Sequence, residues 1–77
     1  MGIILDEHQK EKYDFVRITI TNLLRQALHN DHYIATYYVN PNGTEWVDVD
    51  SESVIKKINV TGDSLIAITK DVIKNFI

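Results

Sequence analysis

The chain has 77 residues, no cysteine and a net charge of −3. A domain of this length buries only about 60% of its unfolded surface, so the core is thin. Disulfides and thiolate metal sites are excluded as reinforcement, leaving efficient packing or self-association. Hydrophobic residues make up 44% and charged residues 25%, a composition that folds rather than one that stays disordered. The opening Met1-Gly2-Ile3-Ile4-Leu5 meets Asp6 and Glu7 before it reaches the apolar length of a signal peptide. Asp6 also stands where a myristoylation signal wants Ser or Thr. No run reaches the ~20 apolar residues of a membrane span. The expectation is one domain over residues 1–77, in a reducing cytoplasm.

Charge is unevenly distributed. Residues 1–30 hold four acids and four bases, whereas residues 31–77 hold seven acids and four bases. Binding to nucleic acid relies on Lys and Arg neutralising phosphates, so this balance weighs against it.

In chain order, the first element is a helix over residues 7–29. Asp6 with Gln9 three residues later resembles a capping box. Tyr13, Val16, Ile20, Leu23, Leu24, Ala27 and Leu28 then recur at helical spacing. Phe15 and Ile18 fall outside this stripe and have no place in its core face. The β-branched run Ile18-Thr19-Ile20-Thr21 favours a strand locally, but the flanking pattern outvotes it.

A hairpin follows. Residues 33–39 and 44–49 are β-rich runs joined by Asn40-Pro41-Asn42-Gly43, the residues of a type I turn followed by a G1 bulge. The implied register pairs Val39 with Glu45, Tyr38 with Trp46, Tyr37 with Val47, Thr36 with Asp48 and Ala35 with Val49. It puts Ala35, Tyr37, Val39, Val47 and Val49 on the core face. Ile34, Thr36, Tyr38, Trp46, Asp48 and Asp50 take the opposite face.

Residues 51–60 read two ways. Ser51-Glu52-Ser53 suits the start of a short helix through Lys57, while Val54, Lys56, Ile58 and Val60 alternate with Ile55, Lys57 and Asn59 as a strand. A two-stranded sheet is marginal, which favours the strand. Asp63 then caps a last helix whose buried stripe is Leu65, Ile68, Thr69, Val72, Ile73 and Phe76, with Lys70, Asp71, Lys74 and Asn75 outside. The fold class is α+β in the order α-β-β-(β)-α, with two helices packed on one face of a small antiparallel sheet.

That order is similar to the double-stranded RNA-binding domain, and Gly62-Asp63-Ser64-Leu65-Ile66-Ala67 looks like the start of that family's last helix. Leu65 and Ile66 stand where the family's phosphate-binding lysines are expected, so the resemblance implies topology rather than affinity. Residues 58–73, Ile58 to Ile73, resemble the ending of small uncharacterised phage and prophage proteins of Gram-positive bacteria. This resemblance implies a genomic setting and no particular chemistry.

Candidate chemistry is sparse. His29-Asn30-Asp31-His32 offers two imidazoles and a carboxylate, short of a zinc ligand set, and His8 lies about 30 Å away along a continuous helix. Glu45, Asp48, Asp50 and Glu52 form an acidic run, but Ser53 occupies the position where a calcium loop needs glycine. A solvated acidic face is the reading preferred. No nucleophile–base, HExxH or phosphate-loop pattern is present, so no catalytic residue, metal ligand or cofactor is assigned and an enzyme is not expected.

Tyr38 and Trp46, with Ile34, sit on the sheet face away from the core. They form either a cross-strand pair that stabilises the hairpin or an anchor for a partner. Phe15 and Ile18 are a second candidate seam. The sequence therefore points to a non-enzymatic interaction or accessory module, its partner another copy of itself or a different protein and not a membrane. A nucleic-acid-binding domain is the alternative.

Overall fold

The computed structural model describes residues 5–53 and 55–76. Helices α1 (Glu7–Phe15) and α2 (Thr21–Ala27) are joined without a break by one π-helical turn, Val16–Ile20. Strands β1 (Ile34–Val39), β2 (Glu45–Asp50) and β3 (Ile55–Val60) follow, and helix α3 (Leu65–Ile73) closes the chain. The strands form one antiparallel sheet in the order β1-β2-β3. The α-β-β-β-α order expected from the sequence is the one found, and residues 55–60 are a strand, not a helix. Val54 and residues 1–4, to which the sequence pattern also gave roles, lie outside the described residues.

The helix begins as its sequence directs. The Asp6 carboxylate accepts from Gln9 N–H at 2.8 Å and the Gln9 side chain accepts from Asp6 N–H at 3.2 Å, a reciprocal capping box. Its interior departs from the expected stripe. Lys12, Val16, Ile20, Thr21 and Leu24 are buried, whereas Leu23 and Ala27 are exposed. The buried positions run at a spacing of four from Lys12 to Leu24. In a straight α-helix such a row drifts by about 40° per step, at 100° per residue. The π-helical turn inserts extra backbone into one turn and takes up that drift, so the row stays over the sheet. The same shift turns Phe15 toward the core, where it packs at the margin, while Ile18 is left 63% exposed.

The hairpin has the register given by its turn residues: Val39 opposite Glu45, Tyr38 opposite Trp46, Tyr37 opposite Val47, Thr36 opposite Asp48 and Ala35 opposite Val49. Gly43 adopts φ 89° and donates its N–H to Asn40 carbonyl at 2.9 Å, the left-handed position of the bulge. β3 adds beside β2 with Val47 opposite Ile58 and Asp48 opposite Lys57.

Ala35, Tyr37, Val47, Val49, Ile58 and Val60 face the helices and are buried with Val16, Ile20, Leu24, Ile68 and Val72. Both helical layers cover this one face, α3 over β3 and the π-helical turn over β1.

The last helix starts one residue later than the acid expected to cap it. Ser64 is the N-cap, its hydroxyl accepting from Ala67 N–H at 3.0 Å, and Asp63 is turned to another use. Asp71, expected on the outside, is largely covered; its carboxylate accepts from Thr61 N–H at 3.2 Å. At the chain's end Phe76 meets Tyr33 edge-on, ring centres 6.0 Å apart. Lys56 Nζ lies 5.1 Å from the Phe76 ring centre and donates to Asn75 carbonyl at 2.8 Å.

Candidate functional site

Two places in the fold hold more chemistry than packing requires. The first is the sheet face turned away from the helices. Strand alternation puts nine side chains there in three rows: Ile34, Asp50 and Ile55; Thr36, Asp48 and Lys57; Tyr38, Trp46 and Asn59. Tyr38 and Trp46 are direct cross-strand neighbours and each is half-buried. The Trp46 indole N–H donates to Thr44 Oγ1 at 3.1 Å, which fixes the ring at the turn end of the face. Lys57 lies across the middle, Nζ 5.7 Å from the Tyr38 ring centre and 3.6 Å from Asp48 Oδ2. The Asp48 charge, with Tyr38, raises the Lys57 pKa. Ile34 and Ile55 are 38% and 76% exposed at the other end.

The acidic run does not make one patch. Glu45 belongs to the helix side of the sheet, Asp48 and Asp50 to the outer face, and Glu52 lies beyond β2 with His32 Nε2 3.3 Å from its carboxylate. Strand alternation is the reason: Glu45 shares parity with Val47, while Asp48 and Asp50 share parity with Trp46. Of the residues singled out in the sequence, Tyr38, Trp46, Ile34, Asp48 and Asp50 share one face. Phe15, Ile18, Glu45 and Glu52 are elsewhere.

The second place is a polar cluster under the helices that the sequence pattern does not announce. Lys12 has only 2% of its side chain exposed, and its Nζ donates to Glu45 Oε1 at 2.7 Å and to Asp63 Oδ1 at 2.8 Å. The Tyr37 hydroxyl donates to the same Glu45 oxygen, and His8 Nε2 lies 3.2 Å from Asp63 Oδ1. Three segments thus meet on one ammonium group, α1, β2 and the turn before α3, and β1 joins them through the Tyr37–Glu45 bond.

Burial by itself would lower the Lys12 pKa, but the hydrogen bonds it donates to Asp63 and Glu45 and their charges outweigh it, and the net shift is upward. Burial, then the hydrogen bond to Glu45, pushes the Tyr37 hydroxyl well above the ordinary phenol range. A nucleophilic lysine needs a lowered pKa and a tyrosine base needs a tyrosinate, so both groups are held in the unreactive form. Asp63 is shifted the other way, its pKa lowered by hydrogen bonds from Lys12 and His8. The cluster clamps the helices to the sheet.

Comparison with known proteins gives no match: no family model, no curated protein and no solved structure.

Among the described residues, no group of three or more His, Cys, Asp and Glu side chains is placed to hold a metal ion, and no helix is long and apolar enough to cross a membrane. The signal for the buried cluster is present in the sequence only as a spacing: Lys12 precedes Val16, Ile20 and Leu24 by successive fours. A lysine in such a row is normally a boundary residue whose head reaches water, so the spacing alone does not single it out.

Proposed function

We propose that the protein is a non-enzymatic interaction module, an accessory protein of phage origin working in the cytoplasm, and that it self-associates through the outer face of its sheet. One observation carries the reading: neither helical layer covers that face, yet it holds the Tyr38–Trp46 pair with Ile34 and Ile55. Trp and Tyr are favoured interface anchors because each offers a large rigid surface with a polar tip.

Three features favour a second copy of the chain. Two-fold symmetry is the commonest arrangement of soluble oligomers and brings a patch against itself. The face carries Lys57 beside Asp48 and Asp50, so it does not repel its own copy as a purely acidic face does. A small chain without disulfides also gains most from association. Each aromatic ring is already half-buried. The remaining area, at ~25 cal/mol per Å² less the entropy of association, supports micromolar rather than picomolar affinity. The phage origin rests on the resemblance of residues 58–73.

Sedimentation equilibrium over a wide concentration range tests the proposal. A monomer–dimer equilibrium is expected, shifted toward monomer by Trp46→Ala and unaffected by Ile18→Ser. A species of 8.9 kDa at every concentration up to about 1 mM would remove self-association and leave the face to a foreign partner.

The alternative, a nucleic-acid-binding domain, draws support from the α-β-β-β-α order alone. Asp48 and Asp50 on the outer face, and an exposed Ile66 in the first turn of α3, oppose it. A shift assay with duplex RNA at two salt concentrations separates the readings. No retention tighter than about 10⁻⁴ M is expected.

A further inference from the structure

The two edges of the sheet are treated differently. Asn40 N–H pairs with Thr44 carbonyl at 2.9 Å, and hydrogen-bonded pairs in an antiparallel ladder recur every second residue. The backbone groups of Ile34, Thr36 and Tyr38 therefore point to β2, and those of Tyr33, Ala35 and Tyr37 point outward. That outer edge of β1 is occupied at Tyr33 and Ala35. Ala35 N–H donates to Thr21 Oγ1 at 2.9 Å, and the Arg25 guanidinium donates to Tyr33 carbonyl at 2.8 Å.

On the other edge, Lys56, Ile58 and Val60 pair with β2, and Ile55, Lys57 and Asn59 turn their N–H and C=O groups out. Thr61, next in that series, is closed by the Asp71 carboxylate. Among the described residues no partner meets the outward backbone groups of Ile55, Lys57 and Asn59. This leaves three consecutive ladder positions open.

We propose that this edge of β3 takes up an extended acidic segment of another protein as a fourth strand. Backbone pairing supplies the attachment and charge supplies the choice. β3 carries Lys56 and Lys57 and no acid, and Lys57 already has Asp48 on its β2 side. An incoming strand with Glu or Asp opposite Lys57 continues the row as acid, base, acid. A second copy of the chain is disfavoured at the same place. Antiparallel pairing of β3 with itself about its centre sets Lys57 against Lys57, a like-charge pair that opposes association. The lysine that guards the edge from its own copy is thus what selects an acidic partner.

The probe is a short synthetic peptide alternating threonine and glutamate, with a threonine–lysine peptide of equal length as control. Titration into ¹⁵N-labelled protein is expected to perturb and protect the amides of Ile55, Lys57 and Asn59, with affinity at least about tenfold above the control. Lys57→Pro removes an outward N–H and the ammonium beside Asp48 but no N–H that pairs with β2, so the sheet is expected to survive and binding to be lost. Lys57→Glu keeps every backbone group and is expected to exchange the preference, losing the glutamate peptide and gaining the lysine one. The proposal is overturned if the glutamate peptide leaves these amides unchanged, or if both Lys57 variants bind it as the parent does. Protection of the same amides by raising the concentration of Trp46→Ala, in which the contact through the sheet face is weakened, would assign the edge to a second copy and overturn it equally.

Discussion

Two described residues hold positive φ, Gly43 at 89° and His29 at 51°. A methyl group added at Gly43 would meet nothing within 4 Å, so replacing this glycine tests backbone conformation alone. Gly43→Ala is expected to destabilise the fold by about 1 kcal/mol, read as a shift of the urea midpoint at unchanged slope. His29 ends the first helical segment, with Asn30 N–H reaching back to Arg25 carbonyl at 3.0 Å, the bond that closes a Schellman motif. A β-carbon at this position is strained, and His29→Gly is expected to stabilise by up to about 1 kcal/mol. A destabilised glycine variant would show that the imidazole supplies more than the backbone loses. The turn at Gly43 was legible because Asn-Pro-Asn-Gly has few other conformations open to it. The left-handed His29 was not, since nothing in its side chain asks for positive φ; the residue takes it because the helix must stop there for β1 to begin.

At the scale of elements, the helix α1–α2 is shaped by what it must meet on the sheet. Thr21 lies just after the π-helical turn, its N–H paired with Val16 carbonyl, and its hydroxyl enters the core to accept from Ala35 N–H. Without the extra backbone the row from Lys12 to Leu24 would turn away from β1. Thr21→Val keeps the shape and removes the acceptor, leaving a buried N–H unpaired. The expected loss is about 1–3 kcal/mol, with faster exchange of the Ala35 amide ahead of global unfolding. If that amide exchanges as in the parent protein, the pairing contributes little. Helix and hairpin were both visible as periodicities, and the register of β1 on β2 followed from one turn. The π-helical turn was hidden because the Ile18-Thr19-Ile20-Thr21 run carries strand propensity inside a helical pattern, a local conflict that the sequence poses without resolving. The outer face was legible in part, because alternation fixes which residues share it and sets Glu45 on the helix side, but not that Glu45 meets Lys12 there.

For the molecule as a whole, the buried ammonium of Lys12 takes the place that a disulfide or a metal holds in other small domains. It ties α1 to β2 through Glu45 and to the turn before α3 through Asp63. Replacing Lys12 with Met keeps the apolar stem and leaves Glu45 and Asp63 without their cation. Breaking a buried pair by removing one member costs about 3–5 kcal/mol, and the exposure of Asp63 to water reduces this, so about 2 kcal/mol is expected at neutral pH. The pH dependence follows from the two shifts. Asp63 has a lowered pKa in the fold, so its contribution is present above the ordinary carboxylate value, about 3.9, and is lost as pH falls through the lower folded value. Lys12 has a raised pKa, so its contribution is present below about 10.4 and is lost as pH rises through the higher folded value. Between these limits the clamp is fully formed, and at either end it opens with the group that titrates. Urea unfolding of the parent and Lys12→Met at pH 7 and pH 2.5 separates this from a packing effect. The stability gap between them is expected to shrink in acid, because protonating Asp63 weakens in the parent the ion pair that the variant already lacks. An equal gap at both values would mean that the methylene chain of Lys12, rather than its charge, holds the helices to the sheet.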